Sequence, residues 1–473
     1  SQSNRRRDLG RDLLPVVVVR EQLMQAAARA VARAVQRHWP QGAVLFLCGP
    51  GNNGGDALVA AQILREQGRV VSVFSLVDPS QRQGTAAWAQ TQWQGRWESQ
   101  CPDFRRFSVV VDGLLGAGLD RDVEGETAAL IQSLAASKVP VCAIDVPSGL
   151  DGASGQVRGV VAPATVTVSF VRYKPGHVLY PGRALCGKLE LADIGMPAPA
   201  LQDANTWLNE PALWQAHLPQ LGAQSHKYTR GHALVVGGER MTGASRLAAR
   251  AAQRAGAGLV SMAVPPSVWP VYASALDSIM VAALDDTLTT DERIRAWLVG
   301  PGAGLGEETR RLTLALLATG RPCVLDADAI SSFASQPQEL WDALHEQCVL
   351  TPHAGEFARV FEEAPDRLEA ARLAATQCGA VLVLKGADTV IAAPDGRALI
   401  NACAPPWLAT GGSGDVLAGL VCGLLTQGMP AFEAAGAAVW LHSQAALEFG
   451  PGLIPEDLIE VLPRVWQRLL SRA

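Results

Sequence analysis

The run Ala409-Thr410-Gly411-Gly412-Ser413-Gly414-Asp415-Val416-Leu417-Ala418-Gly419 places a carboxylate at the mouth of a glycine-built turn. Glycines at 412 and 414 let backbone N–H groups close on an anion, and the apolar periodicity from Val416 to Leu425 predicts a helix whose amino end faces it. Asp415 then stands where a substrate hydroxyl must lose its proton, which is phosphoryl-transfer chemistry. Such a turn also serves as a plain helix entry, and the aspartate inside it is what favours chemistry.

A second glycine-rich run, Gly49-Pro50-Gly51-Asn52-Asn53-Gly54-Gly55-Asp56, follows the apolar stretch from Val44 to Cys48 and leads into a helix predicted from Ala57 to Gln67. A strand ending in such a loop makes a phosphate or dinucleotide cradle. It is neither a Walker sequence nor G-x-G-x-x-G, which disfavours a hydride-transferring Rossmann site. Two further apolar runs end in carboxylates: Val111-Asp112-Gly113 with Gly116-Ala117-Gly118-Leu119-Asp120, and Ile144-Asp145-Val146-Pro147-Ser148-Gly149-Leu150-Asp151. A lone strand-end aspartate caps a helix as often as it catalyses, and Asp56 also fits a first-turn dipole partner. Three such ends converging on one sheet edge make a site.

The elements that must position these groups read as α/β. Strands are predicted at Val44 to Cys48, Val70 to Leu76, Ser108 to Val111, Val139 to Ile144 and Thr165 to Val171, with helices such as Ala57 to Gln67 and Thr127 to Ser137 between them. From Met196 to Gly222, prolines and two tryptophans mark an ordered connection and a domain boundary, giving domains over 1–205 and 206–473. The alternation restarts with strand His232 to Val236, helix Ala244 to Ala255, strands Leu259 to Ala263, Cys323 to Asp326 and Val381 to Leu384, and two final Ala-rich helices.

A chain of 473 residues with net charge −5, from 40 basic and 45 acidic residues, carries no field that would recruit nucleic acid or an anionic membrane. Nine cysteines without a Cys-x-x-Cys pair speak against a disulfide framework or zinc site. No apolar run reaches the length of a membrane span, and Arg5-Arg6-Arg7 followed by Leu13 to Val19 is too short and interrupted for a signal peptide, so the expectation is a cytoplasmic enzyme acting on small molecules.

Gly-Asn-Asn-Gly-Gly-Asp, Asp-Gly-Leu-Leu-Gly-x-Gly-Leu and Ile-Asp-x-Pro-Ser-Gly-Leu resemble the NAD(P)H-hydrate epimerase domain, a Rossmann-like three-layer fold. The resemblance implies that Asn52, Asn53, Gly54, Gly55, Asp56, Gly116, Ala117, Gly118, Leu119, Asp120, Arg121, Asp122 and Asp145 contact the hydrated nicotinamide nucleotide. It also implies that Asn53, Asp112 and Ser148 ligate a potassium ion, an oxygen-rich set suited to a hard cation. Epimerising a hydrate needs proton transfer by ring opening or by reversible departure of water; Asp145 is the candidate acid/base, with desolvation expected to raise its pKa.

In the second half, Ser225-His226-Lys227, Met241-Thr242-Gly243-Ala244-Ser245, Gly300-Pro301-Gly302-Ala303-Gly304, Leu325-Asp326-Ala327-Asp328-Ala329, Leu350-Thr351-Pro352-His353-Ala354-Gly355-Glu356 and Leu384-Lys385-Gly386-Ala387-Asp388-Thr389 join the opening motif. Together they resemble the ribokinase-like ADP-dependent NAD(P)H-hydrate dehydratase domain. The two halves in this order are similar to the bifunctional NAD(P)H-hydrate repair family. The implied reaction is phosphorylation of the hydrate hydroxyl by ADP, then loss of phosphate, leaving NAD(P)H and AMP. Asp415 would take the hydroxyl proton, the amides of 412–414 would hold the phosphoryl, and magnesium would offset its charge. Lys385, Gly386, Ala387, Asp388, Thr389 and Gly414 would bind ADP; Ala244, Gly302, Gly304, His353 and Asp415 would meet the hydrate, NADHX or NADPHX. A homo-oligomer is expected.

Alternatives stay open on the residues. His353 serves as ligand or surface group, Asp326 and Asp328 as helix caps or groups near magnesium or nucleotide, and His226 and Lys227, at the domain entry, as part of the motif or a solvated turn. Where the family has Gly-Asn-Pro-Gly-Met before the glycine turn, this chain has Ala402-Cys403-Ala404-Pro405-Pro406-Trp407-Leu408. An ATP-dependent ribokinase-like small-molecule kinase fused to a nucleotide-binding domain is the competing reading, and a first domain serving only as a binding scaffold is the third.

Overall fold

In the computed structural model residues 5–78, 81–196, 204–285, 288–362, 364 and 366–471 are described, of residues 5–19 only the backbone. The chain forms two compact units, Ser1–Ala204 and Asn205–Ala473. Residues 197–203 of the expected connection lie outside the described residues. Among the described residues no helix is long and apolar enough to cross a membrane.

The first unit is a parallel sheet of β1 (Val44–Cys48), β2 (Val71–Phe74), β3 (Val109–Gly113), β4 (Val141–Ile144), β5 (Val166–Phe170) and β6 (Lys188–Ala192), in the order β2-β1-β3-β4-β5-β6. The period-2 alternation of strand side chains builds three layers. Phe46, Cys48, Val111 and Ile144 pack with Ala57, Leu58 and Ala61 of the helix Asn52–Glu66 on one face. Leu45, Leu47, Val110 and Ala143 pack with Leu130, Ile131 and Leu134 of the helix Gly125–Ser137 on the other. Each fully buried Leu or Ile contributes about 1.5–3 kcal/mol, so the carboxyl ends of β1, β3, β4 and β5 stand on a rigid base.

The helix expected from Ala57 begins instead at Asn52. Gly and Asn are poor helix formers, and tertiary packing overrides them. A Cβ at Gly54 would come within 2.1 Å of the Gly49 carbonyl oxygen, and one at Gly55 within 2.6 Å of Met24 Cε. These glycines admit close backbone packing, so the run is the first turns of a helix and not a free loop.

The second unit holds ten strands in the order β10-β9-β8-β11-β12-β13-β14-β15-β16-β7. They are β7 (Thr206–Leu208), β8 (His232–Val236), β9 (Leu259–Val264), β10 (Met280–Ala283), β11 (Ile294–Val299), β12 (Cys323–Leu325), β13 (Cys348–Leu350), β14 (Val381–Leu384), β15 (Thr389–Ala392) and β16 (Ala398–Asn401). The sheet is parallel from β10 to β14, antiparallel through β15 and β16, and β7 returns parallel to β16. Part of the expected connection is therefore a strand of the second sheet. The helix Ser413–Thr426 is buried along Val416 to Thr426 and crosses Thr242–Arg254 closely: a Cβ at Gly419 would meet the Ala248 carbonyl oxygen at 2.1 Å.

Candidate active sites

In the first unit the three expected cation ligands come together. Asp112, 1% exposed near the end of β3, accepts hydrogen bonds at Oδ2 from the Ser148 amide (2.8 Å) and at Oδ1 from Ser148 Oγ (2.5 Å) and the Leu114 amide (3.2 Å). Ser148 Oγ accepts from the Leu115 amide (2.9 Å), and Asn53 Nδ2 donates to the Leu115 carbonyl (2.8 Å). Burial pushes the Asp112 carboxyl up, with these hydrogen bonds opposing it. The buried carboxylate, the Ser148 hydroxyl and the Leu115 carbonyl bring oxygens together, the ligand type of a hard cation.

Beside it, Asp145 follows β4 with φ +65°, and Val171 follows β5 with φ +67°. Such values are unfavourable for both residue types, above all for a β-branched valine, and backbone strain of this kind collects at functional sites. Asp145 Oδ1 is ion-paired with Lys174 Nζ and lies 3.4 Å from Ser169 Oγ. His177, fully buried, accepts the Lys174 amide at Nδ1 (3.0 Å), so its Nε2 donates to the Asp145 carbonyl (2.7 Å). Burial lowers the His177 pKa and keeps the ring neutral. Burial and then the charge of Asp145 push the Asp56 carboxyl well above the usual range. Asp145 itself faces an ammonium, which sequence reasoning missed.

In the second unit Asp415 lies in the first turn of Ser413–Thr426, entered through Gly412 at φ +94°. Burial, then the charge of Asp326, pushes the Asp415 carboxyl up to about 7, with Lys385 opposing and Glu356 adding. Lys385 Nζ sits 2.7 Å from Asp326 Oδ1 and 3.8 Å from Glu356 Oε2. Burial pulls its pKa down, yet the two carboxylates prevail and raise it. A Cβ at Gly414 would lie 3.3 Å from Lys385 Nζ, so the turn and the ammonium are neighbours. Asp326 also accepts from Thr351 Oγ1 (2.8 Å). Between the two aspartates, Ala327 at φ +46° sends Asp328 the other way, onto the Gly304 amide (2.9 Å). His442, buried on Ala431–Phe449, is lowered to about 4 by burial; its neutral ring donates Nε2–H to the Ser413 carbonyl (2.9 Å) and braces the turn.

Gly302, Gly304, Arg240, Met241, Leu305 and Asp328 line a cleft of about 370 Å³. It opens past the carboxyl ends of β8, β9, β10 and β11, where ligands of α/β sheets gather. A carboxyl titrating near neutrality beside a glycine turn and a helix amino end can remove a hydroxyl proton while an anion is held close by.

The family described as YjeF-related protein N-terminus matches residues 20–176, and the one described as NAD(P)H-hydrate dehydratase matches residues 233–464. A bifunctional NAD(P)H-hydrate repair enzyme from Moorella thermoacetica is 38% identical over 97% of this chain and 93% of its own length. Its counterpart from Thermofilum pendens is 35% identical over 96% and 93%. The chain belongs to the bifunctional NAD(P)H-hydrate repair family. A solved ribokinase-like superfamily protein from Enterococcus faecalis V583 aligns with TM-score 0.51 and 26% identity, covering 56% of this chain and 96% of that one. The second unit is accordingly ribokinase-like α/β, after a parallel α/β first unit.

Within this repair-family chain the expected residues divide. Asn53, Asp56, Asp112, Asp145 and Ser148 form the first cluster, and Gly116 lies against Asn53, its Cβ position 3.5 Å from that side chain. Gly54 and Gly55 are buried in packing, and Ala117 packs on Gly152. Asn52, Gly118, Asp120, Arg121 and Asp122 are exposed and Leu119 half-buried. In the second unit Ala244 sits in the first turn of Thr242–Arg254. His353 is a helix cap: Nδ1 accepts from the Gly355 and Glu356 amides (3.0 and 3.2 Å), and the His353 amide donates to Glu356 Oε2 (2.9 Å). Its side chain still stays 55% exposed, open to a ligand.

The Lys385 to Thr389 turn differs most from expectation. Lys385 is held by Asp326, buried Asp388 lies 3.4 Å from Arg367 Nε, and Thr389 Oγ1 donates to the Gly386 carbonyl (2.8 Å). Gly386 and Ala387 are its exposed members. Sequence reasoning does not reach Lys174, Glu356 and His442 because each meets a site residue distant in sequence. The departing segment fills its approach: Trp407 Nε1 donates to the Ala446 carbonyl (2.7 Å).

Proposed function

We propose that this chain repairs hydrated NADH and NADPH: the first unit interconverts the R and S hydrates, and the second dehydrates the S hydrate at the expense of ADP. The observation that carries this reading is the pairing of two distinct strand-end sites, in one chain of the repair family, each holding a carboxylate suited to proton transfer. In the first, Asp145 exchanges a proton with the hydrate hydroxyl, by ring opening or by reversible departure of water. Asn53, Asp112 and Ser148 would hold potassium, whose charge would settle the buried Asp112 carboxylate and order the loops around the substrate.

In the second unit Asp415 takes the hydroxyl proton as the hydrate oxygen attacks the terminal phosphorus of ADP. The bond from that phosphorus to its bridging oxygen breaks, and AMP departs with the electron pair. The phosphate ester then leaves as inorganic phosphate, and loss of a ring proton restores the dihydronicotinamide. Amides of 412–414 hold the phosphoryl, and Gly386, Ala387 and Gly414 line the nucleotide. Magnesium would be bound chiefly through phosphate oxygens of the nucleotide. Asp326 and Glu356, both beside Lys385, would supply its protein ligands, and the ion would offset charge on the transferring phosphoryl. Gly302, Gly304, Ala244 and His353 contact the hydrate.

The test mixes purified chain with magnesium, potassium and a known mixture of NADHX epimers, and follows dihydronicotinamide absorbance with ADP, with ATP and without nucleotide. Nucleotide-dependent recovery beyond the share of one epimer, lost in Asp415→Asn, is the expected result. Recovery that stops at one epimer removes the epimerase, and no recovery with either nucleotide returns the kinase reading.

A further inference from the structure

Asp145 is ion-paired with a lysine that is itself anchored at the end of β5. The Lys174 ammonium has three protons and three acceptors: Asp145 Oδ1, Ser169 Oγ (3.1 Å) and the Phe170 carbonyl (3.3 Å). Both side chains are largely withdrawn from water, Lys174 at 26% and Asp145 at 18% exposure, so the pair is less screened than a surface salt bridge. The frame around it is fixed at both ends. His177 ties the Lys174 amide to the Asp145 carbonyl through one neutral ring, and the chain leaves β4 and β5 through the left-handed residues Asp145 and Val171.

The hydrogen bonds and the ion pair that described residues make with the Asp145 carboxylate fall on Oδ1. We infer that Lys174 is the positioning residue of the first site: by holding Oδ1 of Asp145 it presents Oδ2 to the hydroxyl of the hydrate. The inference rests on the reading of Asp145 as the acid/base group. The other charged or titratable groups around the carboxylate are Asp56, from the helix Asn52–Glu66, and neutral His177. Neither can hold Oδ1, since His177 donates to the backbone carbonyl and Asp56 is a carboxyl.

The full chain is assayed for interconversion of separated R and S epimers of NADHX, quantified chromatographically without nucleotide, for wild type, Lys174→Met, Lys174→Arg, Lys174→Ala and Asp145→Asn. Lys174→Met is expected to lower kcat by about 10²-fold while leaving KM for the hydrate within about twofold. Lys174→Arg restores most of the rate, and ethylammonium restores part of it to Lys174→Ala, which replacing a merely structural lysine would not allow. A Lys174→Met chain with wild-type kcat overturns the inference alone. So does a loss that neither arginine nor amine repairs. Wild type interconverting the epimers no faster than buffer overturns the reading of the site, and the inference with it.

Discussion

Asp415 titrates near neutrality because it is buried among Asp326, Glu356 and Asp328 with one ammonium to offset them. As a base it is competent only when ionised, so log kcat/KM for dehydration should rise with unit slope below about 7 and level above it. A profile flat through this range would remove Asp415 as the base. The same shift costs stability. The folded-state pKa lies above the unfolded one, so stability is fully present below about pH 3.9 and is lost as pH rises through about 7. Asp415→Asn should therefore melt above wild type at pH 8, by roughly 2–4 kcal/mol, converge on it near pH 4, and be inactive as a dehydratase. Thermal melts at the two pH values check this, and equal melting at pH 8 would contradict the burial account. Asp415 was legible in sequence because its glycines surround it. Lys385 reads there as an ADP-binding residue of a turn, but not as the partner of Asp326, which lies 59 positions away. Lys174, in Tyr173-Lys174-Pro175, has neither glycines nor carboxylates beside it; its one signal is a position just past a strand end.

Among the elements, the glycine turn before Ser413–Thr426 separates two kinds of glycine. Gly412 has φ +94°, and a Cβ there would meet Pro455 Cγ at 2.8 Å, whereas one at Gly411 meets nothing within 4 Å. Gly412→Ala should cost about 1–2 kcal/mol and lower the dehydration rate with epimer interconversion intact, while Gly411→Ala should stay within about 0.5 kcal/mol of wild type. Denaturant melts and the two separate assays decide it, and equal effects at both positions would refute the backbone argument. Apolar runs of four to six residues made β1, β3, β4, β5, β8, β9 and β14 readable. The hairpin of β15 and β16 was hidden because Thr389 opens it from inside a presumed ligand turn. β7 was hidden because three residues among prolines carry no periodicity. The helix start at Asn52 was hidden because its glycines answer to Gly49 and Met24, which no local pattern encodes.

For the whole molecule, two sites in two units need not act on the same captive intermediate. A free hydrate epimer released by one chain is a substrate for another, so a mixture of Asp145→Asn and Asp415→Asn chains should recover all of an R and S mixture although each alone does not. Recovery by the mixture that stops at one epimer would mean that the epimer passes between sites of a single chain.

β7 precedes nearly all of the second unit yet pairs with β16, Thr206 opposite Ala398, whereas the strand pairs of the first unit are complete by Ala192. On a ribosome adding about 5–20 residues per second, β7 emerges ~10–40 s before its partner. The amino-terminal unit can close while the next sheet still waits with an open edge. That interval is when the nascent chain is most exposed to pairing with the wrong strand, and when a holding chaperone would find it.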